Sequence, residues 1–116
     1  MTEITVAYLK DDIELVRQSD YRETFVFYED DGVTPIDTTG WLMTMWITKS
    51  ENGDECDTLE TDGTRIVNTP ASGQFNLNFT KAEIEAYPWK TAVYRIGIDY
   101  GDGTYQVWRM GNIKVV

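Results

Sequence analysis

The last quarter of the chain constrains the fold most. Residues 91–100 alternate apolar and polar side chains, Gly101-Asp102-Gly103 is a turn signal, and residues 104–110 alternate again. Two runs of period 2 joined by a Gly/Asp turn are typical of a β-hairpin. The same pattern of short strand and turn extends back to about residue 12, and it predicts a chain built mainly of strands.

Alternation also predicts which side chains face the core. Residues 73–79 alternate most strictly, with apolar and amide side chains on opposite faces, as expected of a strand buried on one side. Because Ile113 and Val115 have the opposite parity to the residues before them, a shift in strand register is expected near Gly111. The predicted core-facing side chains are Ile13, Leu15, Phe25, Phe27, Trp41, Met43, Met45, Ile47, Phe75, Leu77, Phe79, Tyr94, Ile96, Ile98, Trp108 and Met110.

One short helix is predicted over residues 80–87. Thr80 and Glu83 form a capping-box pattern, and Pro88 ends the segment. Seven or eight short strands with one connecting helix predict an all-β fold, a two-sheet antiparallel sandwich. We therefore expect one domain over residues 12–116, preceded by an N-terminal arm or edge strand over residues 1–11.

Composition excludes several classes of function. The chain has 116 residues and a net charge of −10, from 20 acidic and 10 basic residues. This balance opposes binding to nucleic acid through its phosphates. No run of residues approaches the length of an apolar membrane span, so a soluble chain is expected, without a membrane partner.

The residue types needed for most catalysis are scarce. Histidine is absent and Cys56 is the single cysteine, which removes the usual general base and the common nucleophile–base pairs. Glu55 and Asp57 flank Cys56 and disfavour its thiolate. Asp99 and Asp102 would project from a hairpin tip instead of lining a cleft. The sequence therefore predicts a protein that is not an enzyme.

Two acidic turns have two interpretations. Glu29-Asp30-Asp31 forms one, and Glu51, Asp54 and Glu55 form the other. Calcium binds oxygen-rich loops of this kind, but neither turn has the ligand spacing of an EF-hand. The favoured interpretation is solvated turns, and no metal or cofactor is predicted.

Aromatic side chains are the strongest candidates for a binding surface. Trp46 has the opposite parity to its apolar neighbours, and Trp89 follows the predicted helix. Together with Tyr100 and Tyr105 these residues would form either part of the core or a stacking platform for sugars. An exposed Trp would also suit a protein contact, because Trp and Tyr are enriched at interface centres.

The N-terminal segment provides a second candidate contact. Ile4, Val6 and Tyr8 alternate with polar or small residues, which is typical of an edge strand or of an arm on a neighbouring subunit. The candidate interface residues are therefore Ile4, Val6, Tyr8, Trp46 and Trp89.

The order of segments over residues 12–116 resembles the immunoglobulin-like β-sandwich domain of tailed-bacteriophage virion proteins, as in the N-terminal domain of baseplate upper proteins. The matching segments are 21–28, Asp31-Gly32 to Gly40, Ser72 to Glu83, Tyr94-Arg95-Ile96, Gly101-Asp102-Gly103 and Met110 to Val115. They match in spacing, and no catalytic residue is carried over with them.

The resemblance implies assembly into a virion. A homo-oligomer would dock to other virion proteins of the tail, the baseplate or the head. The alternative is a carbohydrate-binding β-sandwich module that recognises a cell-surface glycan.

Overall fold

A computed structural model describes residues 9–50 and 53–116. Within these residues nine strands, one α-helix and one 3-10 turn follow one another. The strands are β1 (Leu9–Lys10), β2 (Ile13–Leu15), β3 (Tyr21–Val26), β4 (Leu42–Thr48), β5 (Glu55–Glu60), β6 (Ile66–Thr69), β7 (Gln74–Phe79), β8 (Thr91–Asp99) and β9 (Tyr105–Val115). The helix α1 spans Lys81–Ala86, and the 3-10 turn spans Pro70–Ser72.

The strands form two sheets, so the predicted all-β sandwich is confirmed. The larger sheet has the order β1-β9-β8-β4-β5, with β2 also paired to β9, and the smaller sheet has the order β3-β7-β6. All pairs are antiparallel except β1 and β2, which run parallel to β9 along one edge. This edge departs from the fully antiparallel prediction, and it also raises the strand count to nine.

The predicted helix is confirmed with its cap. The Thr80 hydroxyl accepts a hydrogen bond from the Glu83 backbone N–H, and the Glu83 carboxylate accepts one from the Thr80 backbone N–H. The two bonds satisfy donors that the first helical turn would leave free. Ile84 is the buried residue of α1, which attaches the helix to the core.

The core lies between the sheets and matches the predicted parity for fifteen of the sixteen side chains. The apolar row of β4, from Trp41 to Ile47, is at most 3% exposed. The apolar row of β7 (Phe75, Leu77 and Phe79) is equally buried. Trp108 also points inward, because its ring centroid lies 4.8 Å from that of Phe25 and 5.2 Å from that of Phe27.

The prediction for Met110 was wrong. Met110 lines a depression on the outer face of the larger sheet, and the inward position is taken by Arg109, which is 4% exposed. The register shifts between Ile96 and Gly97, where Arg109 pairs with Ile96 and Val107 pairs with Gly97. Trp108 is therefore the extra residue of a bulge, and both Trp108 and Arg109 face the core.

Gly111 does not form a bulge, and instead allows the link between β1 and β2 to approach β9 closely. A Cβ atom at Gly111 would overlap the backbone carbonyl of Asp11, in the link between β1 and β2. Glycine at this position therefore lets the β1–β2 edge lie directly against β9.

A polar cluster closes one side of the sandwich around Arg65. Its guanidinium forms two hydrogen bonds to the Asp57 carboxylate, at 2.7 and 3.2 Å, and its Nε lies 2.6 Å from Glu83 Oε2 as an ion pair without hydrogen-bond alignment. The Tyr87 hydroxyl donates a third hydrogen bond to Asp57. The cluster joins β5 of the larger sheet to the β5–β6 connection and to α1.

Acid is expected to remove the contribution of this cluster to stability. Burial opposes ionisation of Asp57, but hydrogen bonds from Arg65 and Tyr87 outweigh it and hold the pKa of the carboxyl below its ordinary value of 3.8. A lowered folded-state pKa stabilises the protein above the unfolded pKa, and this stabilisation is lost as the pH falls through the folded value.

Asp57→Asn is therefore expected to lower the free energy of unfolding by about 2 kcal/mol at pH 7, with the difference from wild type shrinking as the pH falls below the ordinary Asp pKa of 3.8. Urea titrations between pH 2 and pH 7 measure this difference. Asp54→Asn, at an exposed position on the same segment, is the matched control. A difference that persists unchanged at pH 2 would contradict the role assigned to the Asp57 carboxylate.

Candidate functional site

The candidate site is the outer face of the larger sheet, called the outer face below. The pairings of β4, β8 and β9 arrange its side chains in three rows. The rows are Thr44, Gly97 and Val107; Trp46, Arg95 and Met110; and Thr48, Val93 and Asn112. Alternation of strand residues places all nine on the side away from the core.

An aromatic pair lies over this grid. Tyr105, at the start of β9, is 51% exposed, and its ring centroid lies 6.3 Å from that of Trp46. A Cβ atom at Gly97 would overlap the Tyr105 hydroxyl. The missing side chain of Gly97 therefore leaves the space in which Tyr105 lies against the sheet beside Trp46.

The outer face forms a shallow depression of about 1380 Å³. Its lining carries both signs of charge. Arg95 in the central row and Lys10 and Lys49 at the rim are the cations, and Asp11 and Asp12 are the rim acids. Burial raises the pKa of Tyr105, although the nearby Arg95 charge acts in the opposite direction. Tyr105 is therefore a neutral hydroxyl, able to donate a hydrogen bond at physiological pH.

The two rim acids are already engaged within the chain. Asp11 Oδ2 lies 3.3 Å from Arg109 Nη2, and Asp12 Oδ1 accepts a hydrogen bond from the Asn112 backbone N–H at 2.9 Å. Within the described residues, no carboxylate lies within ion-pair distance of Lys10, Lys49 or Arg95. All three of these cations are exposed.

The structure separates the aromatic residues that the sequence grouped together. Trp46 and Tyr105 share the outer face. Trp89 stacks on Tyr87 at 4.7 Å, packs against the core and does not line the depression. Tyr100 is buried edge-to-face against Trp41. The sugar-platform interpretation therefore keeps one Trp–Tyr pair of its four residues.

The N-terminal candidates Ile4, Val6 and Tyr8 lie outside the described residues. The strand that follows them is β1, whose pairing to Arg109 and Met110 places it at the edge of the outer face. The chain therefore enters the described structure beside the candidate site.

Three members of the site were not predicted as site residues from the sequence, namely Arg95, Met110 and Lys49. Arg95 has the opposite parity to Tyr94 and Ile96, which indicates an outward side chain. Met110 was assigned inward because the bulge at Trp108 is not visible in the alternation. Lys49 follows β4, in a turn without periodicity.

Gly97 tests the packing of the aromatic pair. Gly97→Ala is expected to displace Tyr105 from the sheet, shift the fluorescence of the protein through Trp46 and lower the free energy of unfolding by about 1 kcal/mol. The matched comparison is the same substitution in a Tyr105→Ala background, where no ring remains to be displaced. An equal loss in both backgrounds would show that Gly97 is needed for a reason other than Tyr105.

Other classes of site find little support in the described part of the chain. No cluster of three or more acidic or cysteine side chains there is placed to hold a metal ion. Burial raises the pKa of Cys56, with Asp54 and Asp57 adding to the rise and Lys49 opposing it, so the thiol is protonated at neutral pH.

No helix in residues 9–50 and 53–116 has both the length and the hydropathy of a membrane span.

No protein-family model matches the chain, and no curated protein matches it.

Proposed function

We propose that this chain is a non-enzymatic structural component of a tailed-bacteriophage virion, acting through self-association and docking to other virion proteins. The observation that carries the proposal is the central row of the outer face, Trp46, Arg95 and Met110, beside the exposed Tyr105. Trp, Tyr, Met and Arg are the residue types enriched at the centres of protein interfaces.

The order of strands supports an immunoglobulin-like domain within this proposal. One sheet places β4, β8 and β9 side by side with β5 at the edge, and the other has the order β3-β7-β6. Immunoglobulin domains place their C, F and G strands together, with C′ beside C, and oppose them with B, E and D strands. The resemblance of the sequence to virion proteins remains the reason for the assignment to a phage particle.

The N-terminal arm remains part of the proposed contact. Ile4, Val6 and Tyr8 precede β1 at the edge of the outer face. Removal of residues 1–8, which spares β1, is expected to weaken self-association in light scattering. A truncated chain that associates like the full chain would remove the arm from the interface.

Two measurements test the assignment to a virion. Mass spectrometry of gradient-purified particles, from the phage or prophage that encodes this chain, is expected to detect it in many copies per particle. Electron microscopy of the purified protein is expected to show rings or regular oligomers. Absence from the particles, together with a monomer at all concentrations, would reject the proposal.

A carbohydrate-binding module is the second candidate, and the exposed Trp46–Tyr105 pair favours it. Aromatic faces at the surface of a sheet can stack on sugar rings. A glycan array read by binding, together with Trp fluorescence, tests it with Trp46→Ala as the control. Loss of a specific glycan signal in that variant would support this function, and a flat array would reject it.

A further inference from the structure

The charges of this protein are distributed unevenly between the outer face and one end of the sandwich. That end, called the acidic end below, consists of the β3–β4 and β8–β9 connections. The two connections meet where a Cβ atom at Gly101 would lie 2.9 Å from the Gly40 carbonyl. Residues 27–41 and 98–104 contain no Lys or Arg. Their carboxylates are Glu29, Asp30, Asp31, Asp37, Asp99 and Asp102.

Three of these carboxylates, Asp31, Asp37 and Asp102, are held in place by hydrogen bonds within their turns. Hydrogen bonds from the hydroxyl and backbone N–H of Thr34, and from the Val33 N–H, hold the pKa of Asp31 below its ordinary value. Hydrogen bonds from Thr39 act likewise on Asp37, and those from Thr104 on Asp102. Glu29, Asp37 and Asp102 line one shallow depression at this end. The end therefore presents a fixed negative surface.

Lys49 of the outer face lies too far from the acidic end for the two to meet within one molecule. Leu42, the first residue of β4, pairs with Asp99 at the acidic end. Lys49 directly follows the last residue of β4. Seven residues at about 3.3 Å per residue separate the two ends of the strand by about 20 Å, so contact between them requires two copies of the chain.

We infer that the outer face of one copy takes the acidic end of the next copy, in a head-to-tail contact. The inference rests on the proposed self-association and specifies its geometry. Trp46, Tyr105 and Met110 supply the apolar side chains, and Arg95 lies between Trp46 and Met110 in the central row. Arg95, together with Lys49 and Lys10 at the rim, faces the carboxylates. End-to-end packing would place the carboxylates of two copies against each other, and face-to-face packing would do the same with their cations, which is unfavourable. Contacts between two different surfaces generate closed rings or open filaments.

Two sets of substitutions alter the outer face and the acidic end one at a time. The face variant combines Arg95→Glu with Lys49→Glu. The end variant combines Asp30→Lys with Asp99→Asn and Asp102→Asn. The Asn side chains keep the acceptor oxygen that binds the Gly101 and Thr104 backbone N–H groups, so the turns are retained while charge is removed. Asp30 lies at an exposed turn position.

Sedimentation velocity of each variant, and of their 1:1 mixture, tests the inference. Each variant alone is expected to be monomeric, with self-association weakened by more than about 100-fold through juxtaposed like charges. The mixture is expected to form dimers, because it provides one intact face and one intact end. Wild-type association is expected to weaken from 50 to 500 mM NaCl.

The outcomes distinguish the inference from the proposed function. Two outcomes would overturn the head-to-tail contact alone, and in both of them the wild type associates. In the first, both variants associate as well as the wild type does. In the second, the mixture of the two variants stays monomeric. A wild type that is monomeric at all concentrations overturns self-association as well, and binding of polygalacturonate to that monomer would point to a glycan partner. Near-UV circular dichroism confirms folding, and Arg95→Gln with Lys49→Gln replaces the face variant if it does not fold.

Discussion

Replacing Phe75 with Ala is expected to lower the free energy of unfolding by about 4 kcal/mol, because the substitution opens a cavity in a closely packed core. Phe75 lies at the centre of β7, is fully buried, and pairs in register with Phe25 on β3. Its ring also lies edge-to-face with Phe27, at 6.1 Å between centroids. The loss approaches the whole stability of a domain of this size, so partial unfolding at 37 °C is expected.

Chemical denaturation of Phe75→Ala measures this loss. Asn76→Ala is the matched control, since Asn76 is the next residue of β7 and lies on the side of the smaller sheet that faces away from the core. Its side-chain oxygen accepts a hydrogen bond from the Thr24 hydroxyl. We expect the control to lose about 1 kcal/mol or less. Equal losses in the two variants would show that the space between the sheets is not the core.

Replacing Arg109 with Met is expected to lower the free energy of unfolding by about 3 kcal/mol, because removal of one partner leaves the other charge without its counterion. Arg109 Nη1 donates to Glu23 Oε2 at 2.8 Å, and its Nε donates to the Tyr94 hydroxyl at 2.8 Å. Its guanidinium also lies over the Phe25 ring, 5.3 Å from the centroid. The contact to Glu23 joins β9 of the larger sheet to β3 of the smaller one.

A double variant separates the cost of leaving the Glu23 carboxylate unpaired from the cost of losing the Arg109 side chain. Arg109→Met combined with Glu23→Leu removes both ionic groups, and it is expected to recover part of the loss because no unpaired charge remains. Arg22→Ala, at an exposed position of β3, is the control for loss of a cation. Urea titration measures all three. A double variant less stable than Arg109→Met alone would contradict the assignment of the loss to an unpaired carboxylate.

The contact between Arg109 and Tyr94 also bears on the pKa of Tyr94. Burial is the main cause that raises the pKa of Tyr94 to about 12, while Arg109 acts in the opposite direction. The Tyr94 hydroxyl donates to the Asp11 carbonyl and accepts from Arg109 Nε. The Tyr94 hydroxyl therefore stays neutral at physiological pH.

Much of the fold was predictable because it depends on local alternation. The apolar rows of β4 and β7 follow from the two-residue period of a strand, and the capping box at Thr80 follows from residues three apart. These signals lie within one segment, so no knowledge of the partner segments is needed to read them.

The remaining features depend on contacts between distant segments. Arg109 reads as an outward polar residue, and its partner Glu23 lies 86 positions earlier in the chain. The bulge at Trp108 reverses the parity of β9 and moves Met110 to the outer face. The parallel pairing of β1 and β2 with β9 likewise joins the two ends of the described chain.

The candidate site was predictable in part. Parity alone marked Trp46 as an aromatic residue on the outward side of β4, and the structure places it there. Trp89 lies in a connection without periodicity, so its stacking on Tyr87 was not readable. Trp46 and Tyr105 lie together because Gly97 leaves space for the Tyr105 ring. The position of Gly97 between them follows from the sheet register, which the sequence alone does not give.

Sedimentation equilibrium of Trp46→Ala beside the wild type tests the central claim most directly, namely that this chain associates through the outer face of its larger sheet. Thr24→Ala, at an exposed position on the outer face of the smaller sheet, is the control. We expect the wild type and the control to form the same oligomer and Trp46→Ala to dissociate at concentrations at least ~30-fold higher, as for loss of a hot-spot side chain worth about 2 kcal/mol. An oligomer of unchanged strength in Trp46→Ala, or a wild type that sediments as a monomer, would contradict the claim.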